Sequence, residues 1–270
     1  YDRVSNQAPW NDHADKIETV VFEGNITKIG KFVFCNHDKL TSITIPESVT
    51  SIGYGAFMDC SYLKAINIPH NIQRIGNSAF KGCPSVTSVV WNAKDYKKTD
   101  CLSNLLSQIK YLTFGDSVQQ IPAHFCSSME QLSSVTISSG VTSIGYAAFN
   151  ACKSLTSVTI PNGVTSIGDD AFKDCSSLTS VTLPRGLTEI ESAMFESCSS
   201  LASIDIPDGV TKIGNYAFSG CSSLQKVAIP ASVTSIGYNA FSSCSGLRSL
   251  TMGDGVSFIG ASAFDDCSSL

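Results

Sequence analysis

The sequence predicts an α/β solenoid, in which one coil of 23 residues is repeated along the chain. Three observations carry that prediction. First, SLTSVTIPNGVTSIGDDAFKDCS at 154–176 is followed at Ser177 by the near copy SLTSVTLPRGLTEIESAMFESCS. Second, steps of 23 residues from Leu155 land on Ile17, Leu40, Leu63, Val86, Ile109, Leu132, Leu178, Leu201, Leu224, Leu247 and Leu270, all aliphatic. Third, the aligned units share the pattern LxSVTIPxGVTSIGxxAFxxCxS. Its position 13 is Ile except at Lys98, and its position 18 is Phe except at Ser103 and Cys126. A fixed period of this length is the signature of a repeat array.

Each element of one coil follows from its local pattern. Leu155, Val158 and Ile160, with Ser157 and Thr159 between the last three, form an alternating β-branched run that reads as a strand, apolar inward and hydroxyl outward. Pro161 fixes φ and removes a donor, and Gly163 supplies a turn, so the strand ends there. Val164 and Ile167 resume a brief extended stretch, which Gly168 breaks. Asp169 is then expected to cap a short helical segment that turns Ala171, Phe172 and Cys175 inward. One coil cannot bury enough apolar surface to fold alone. Stacking supplies strand ladders and covered faces, which makes such arrays quasi-one-dimensional.

The unit contains the LxxLxL core of leucine-rich repeats, and its form IPxxVTSIGxxAFxxC closely resembles the BspA-like leucine-rich repeat proteins. The resemblance runs over residues 17–270. It implies a right-handed β/α superhelix and a secreted or cell-surface protein of a host-associated microbe, of the kind involved in adhesion and host-microbe interaction. Residues 17–270 are expected to form eleven repeats, with Leu270 opening a twelfth. Residues 1–16 lie outside the register and are expected to cap the first coil, with Pro9 and Trp10 covering its apolar face. A chain that begins at Tyr1 and stops within the pattern reads as part of something longer.

Composition narrows the function. Charged residues make up 15% of the chain, the net charge is −5, and no cluster of Lys and Arg is apparent in the sequence, which argues against a nucleic-acid partner. No run of residues is long and apolar enough for a membrane span. Eight of the eleven cysteines, Cys60, Cys83, Cys152, Cys175, Cys198, Cys221, Cys244 and Cys267, occupy unit position 21, while Cys35, Cys101 and Cys126 fall elsewhere. Neighbouring coils bring such residues near disulfide distance, but their side chains point in parallel. Without a CxxC there is no zinc signature. They read as buried free thiols that act as small hydrophobes.

His13, His37, His70 and His124 share no unit position, and no nucleophile and base are paired by the pattern, so the chain reads as non-enzymatic, with no cofactor. The GDG at 253–255 sits at the ordinary turn position. Asp169 with Asp170, and Asp265 with Asp266, recur where a helix start would be capped rather than where a calcium site is built.

A partner surface is expected on the strands, which line the concave side of a curved solenoid. Unit position 3 runs Tyr111, Ser134, Ser157, Ser180, Ser203 and Lys226. Position 5 runs Thr113, Thr136, Thr159, Thr182, Asp205 and Ala228. This hydroxyl-rich strip suits a broad contact with an extracellular protein or glycan, host matrix included. The same residues also serve as plain solvent-facing strand residues.

The fourth unit, VTSVVWNAKDYKKTDCLSNLLSQ, breaks the pattern. Asp95, Lys98, Ser103 and Leu106 stand where Val, Ile, Phe and Cys belong. Leu102, Leu105, Leu106 and Ile109 predict a short helix beginning near Thr99 or Asp100. Residues 92–98 then become an exposed, locally basic loop with Lys94, Tyr96, Lys97 and Lys98, a second place for binding or a hinge between two half-arrays. In the fifth unit Phe125, Cys126 and Met129 redistribute the volume of the Ala, Phe and Cys positions.

The functional expectation is a monomeric array at the cell surface or outside the cell, used for recognition or adhesion. Two alternatives stand beside it: a structural spacer within a larger surface protein, and a glycan-binding module attached to an enzyme.

Overall fold

The structure is a computed structural model that describes residues 8, 10–94, 96 and 102–270. It is a parallel-strand solenoid in which each coil repeats after 23 residues. The chain divides into two compact units, Tyr1–Val118 and Gln119–Leu270.

Each coil carries two ladders. In the first unit the leading strands Ala65–Ile68, Ser88–Trp91 and Tyr111–Phe114 pair in parallel, with Ile66 opposite Val89 and Val89 opposite Leu112. In the second unit Val158 lies opposite Val181, and Val227 opposite Leu250. The second, shorter strands form their own ladders, such as Lys28–Ile29, Ser51–Ile52 and Arg74–Ile75 in the first unit. Ile167, Ile190, Ile213 and Ile236 from these strands are all buried in the second. A partner residue 23 positions away in the ladder is what the repeat period dictates.

The expected helical segment is replaced by turns. The only helices among the described residues are single 3-10 turns at Asn11–His13 and Ser103–Leu105. The reason lies in the backbone of unit positions 16 and 20, which are left-handed in every coil of the second unit. Examples are Ala147 (φ 50°), Asp170 (φ 56°), Ala193 (φ 52°) and Tyr216 (φ 57°) at position 16, and Ala151 (φ 57°), Asp174 (φ 60°) and Ser197 (φ 61°) at position 20. These kinks send alternate N–H groups in different directions. Those of Asp170, Phe172 and Asp174 donate to the next coil, at Ser192, Met194 and Glu196, over 3.0, 2.9 and 2.8 Å. Those of Lys173 and Cys175 turn back to Asp170 and Phe172 within their own coil. A helix would point all of them one way and leave the coils unlinked on this side.

The core is a stack of Phe side chains flanked by the Cys row. In the second unit Phe149, Phe172, Phe195, Phe218, Phe241 and Phe264 follow one another at centroid separations of 5.1–5.6 Å with near-parallel rings. In the first unit Phe34, Phe57 and Phe80 do the same. Trp10 extends that stack at 5.9 Å from Phe34 and donates its indole N–H to the Val33 carbonyl. Trp10, expected to help cover the first coil, packs on Phe34 of that coil. Pro9 lies outside the described residues.

The ten described cysteines are free thiols, in keeping with the parallel geometry. They are also donors. Cys175, Cys198, Cys221 and Cys244 each direct S–H to the position-18 carbonyl one coil back, at Phe149, Phe172, Phe195 and Phe218, over 3.1–3.2 Å. The Phe172 carbonyl also accepts the Cys175 N–H of its own coil, so it has two donors. His37 holds the equivalent position in the first coil, fully buried, with its Nε2 unpaired.

The irregular fourth coil corrects one expectation. Tyr96 is not an exposed loop residue. It is 6% exposed, packs edge-on against Trp91 at 5.3 Å, and accepts the Ile75 N–H on its hydroxyl at 3.3 Å. Ala93 is buried too, and Leu102, Leu105 and Ile109 fill the interior as their spacing predicts, although the helix is a single turn. This coil lacks the consensus Ile and Phe, and Tyr96 supplies both apolar volume and a cap for the strand Arg74–Ile75. Lys94 is exposed. Lys97, Lys98 and the expected helix start near Thr99 or Asp100 lie outside the described residues.

Candidate functional site

The exposed face of the leading strands in the second unit is built by alternation alone. Val158 and Ile160 point inward and are buried, so Ser157 and Thr159 must point out. Parallel pairing sets Ser157 beside Ser180 and Thr159 beside Thr182, while Ser203 bridges to Lys226. Ser134, Thr136, Ser157, Thr159, Ser180, Thr182, Ser203 and Asp205 are all exposed. The strip is hydroxyl-rich and uncharged until Asp205 and Lys226. In the first unit Tyr111 is exposed and Thr113 half-buried on their strand, in register with Ser88 and Val90. The structure thus places each of these ten residues on a leading strand or its continuation, while Tyr96 leaves the set.

Four of the buried thiols are held protonated, whereas the hydrogen bond from Cys60 shifts the pKa of the buried Cys83 downward. Burial raises the pKa of Cys126, Cys198 and Cys221 well above the usual thiol range, and pushes Cys244 up to about 12. Reactive cysteines need the opposite, a stabilised thiolate within reach of solvent.

Reading only unit positions 3 and 5 missed a second set of exposed residues. Tyr54, Tyr146 and Tyr238 recur at unit position 15, each 43–51% exposed. In the first unit, Lys28, Ser51 and Arg74 form the outward row of the second strands, beside Lys31, Tyr54 and Asn77. The signal was available: the same column reading applied to positions 12 and 15 of the first three units returns these six residues.

Two parallel ladders, a 23-residue period and an inward Phe-and-Cys row define a leucine-rich repeat solenoid. The chain belongs to the family described as the BspA type leucine rich repeat region, which it matches in six copies over residues 12–129 and 142–270. A leucine-rich repeat protein from Bacteroides ovatus is 25% identical, with a TM-score of 0.65, over 95% of this chain and 72% of that one. One from Eubacterium ventriosum is 24% identical, with a TM-score of 0.58, over 100% and 87%. A leucine rich cell surface protein from Faecalibacterium prausnitzii is 27% identical over 93% and 85%, with a TM-score of 0.39. Comparison with curated proteins returned no match. Among the described residues no helix is long and apolar enough to cross a membrane.

Proposed function

We propose that this chain is a non-enzymatic recognition module, displayed at the cell surface or outside the cell, which holds an extracellular protein against the exposed leading-strand face of residues 119–270. The observation that carries the reading is the register of Ser157 with Ser180 and Thr159 with Thr182, all exposed, on a parallel ladder. Short hydroxyl side chains present donors and acceptors while losing little conformational entropy on contact. Their lack of charge leaves little to desolvate, so a broad complementary surface can seat closely.

The test places a bulky cation in the strip. Thr136→Arg, Thr159→Arg and Thr182→Arg, combined, are expected to abolish capture by a panel of immobilised extracellular-matrix proteins while leaving the melting temperature unchanged, because all three side chains already face solvent. Capture that survives the triple variant overturns the assignment of this face and favours a spacer role for the array.

A further inference from the structure

The second-strand side of the first unit holds a groove of about 700 Å³ whose chemistry differs from that of the hydroxyl strip. Gly30, Gly53 and Gly76, one from each coil, are among its lining residues. At Gly53 an added Cβ would lie 2.6 Å from the Gly30 carbonyl carbon, and at Gly76 2.4 Å from the Tyr54 nitrogen, so the coils approach too closely for ordinary side chains. One wall is the in-register row Lys28, Ser51 and Arg74. Two strand spacings separate its cations, roughly 10 Å, with a hydroxyl between them. The other wall is Lys31, Tyr54 and Asn77, one from each successive coil. Tyr54 is 43% exposed and is braced edge-on by Phe32 at 5.2 Å.

Lys28 and Arg74 line this groove with no carboxylate among its described lining residues, in a chain of net charge −5. Neither Lys28 nor Arg74 is in an ion pair among the described residues. We infer that the groove between Lys28 and Arg74 binds a linear anionic polysaccharide, with sulfate or carboxylate groups on those two cations and a sugar ring against the Tyr54 face. A polysaccharide that carries an anion on each disaccharide repeats its charge on the scale set by Lys28 and Arg74. An exposed ring set between cations suits the C–H face of a sugar. An acidic peptide is less suited, because it would gain most by adding a strand at the edge of this ladder. At Arg74–Ile75 the Ile75 N–H is already taken by Tyr96. The groove is separate from the leading-strand face, and neither assignment depends on the other.

The experiment titrates the full chain with sulfated dextran oligosaccharides, neutral dextran and polyglutamate at low and raised salt. The expected result is salt-sensitive binding of sulfated dextran and none of neutral dextran. Lys28→Ser and Arg74→Ser should each weaken that binding about tenfold, since each removes a charge-assisted contact. Tyr54→Ser should weaken it about fivefold. The Thr136, Thr159 and Thr182 arginine variant should bind sulfated dextran no more weakly than the parent chain, which keeps the two sites distinguishable. If a serine variant shifts the melting temperature, Lys28→Gln and Arg74→Gln replace it. Absence of sulfated-dextran binding at low salt overturns the inference, as does binding that is unchanged in the double Lys28/Arg74 variant. Polyglutamate bound as tightly as sulfated dextran, with no effect of Tyr54→Ser, also overturns it and makes the groove an acidic-peptide site.

Discussion

A cysteine at unit position 21 does two things at once. It fills apolar space beside the Phe stack, and its S–H reaches back one coil to a carbonyl, as Cys244 does to Phe218 at 3.1 Å. The cost is a proton that cannot easily leave. Burial holds Cys244 at about 12, against an ordinary thiol value of 9.0, and pushes Cys126, Cys198 and Cys221 the same way. The unfolded chain therefore releases these protons at lower pH than the folded one. Their contribution to stability is fully present below about pH 9 and is lost as pH rises toward 12. Urea denaturation at about pH 8 and about pH 10.5 should show this loss, with a shallower slope for Cys244→Val. A slope unchanged by that substitution would contradict the assignment.

At the scale of the element, the left-handed residues decide the shape of the coil. Ser78, at φ 57°, occupies unit position 16 in a conformation that L-residues avoid. Ser78→Gly should be more stable than Ser78→Val by about 1–2 kcal/mol, read from urea melts, because glycine relieves the strain and a β-branched side chain adds to it. Equal stabilities would show that this backbone is not strained. These kinks were not legible in the sequence. Position 16 is filled by Phe32, Ser78, His124, Ala147, Asp170 and Tyr216, and position 20 by residues as varied as Asn36, Ser128 and Ala151, so no residue type marks them. The strands were legible, because period-2 alternation at Val158 and Ile160 follows directly from which side is buried. Tyr96 was misread for a different reason. Its polar neighbours suggest a loop, while its burial is set by the volume missing from its own coil, which only the packed neighbours reveal.

At the scale of the molecule, each compact unit carries its own Phe stack and its own second-strand ladder. Residues 119–270, expressed alone, should therefore fold and melt in one cooperative transition, followed by circular dichroism. A non-cooperative melt would show that their core is incomplete. Function was legible only as a choice of surface. The hydroxyl columns at Ser157 and Thr159 stand out because neighbouring units repeat them. The cationic groove spans only three coils, so no repeated letter announces it, and its residues meet only once the register of Lys28, Ser51 and Arg74 is known.

The alternating N–H groups of positions 16–21 set a rule for how such a chain can change length. Each coil lends every second donor to the coil that follows it and keeps the rest, as Asp170 through Cys175 do. Loss or gain of one residue there would swap lent donors for kept ones along the whole seam. Growth and shrinkage by entire 23-residue coils preserve the phase. Array length is therefore quantised, and reach toward a distant partner can be tuned only in steps of one strand spacing.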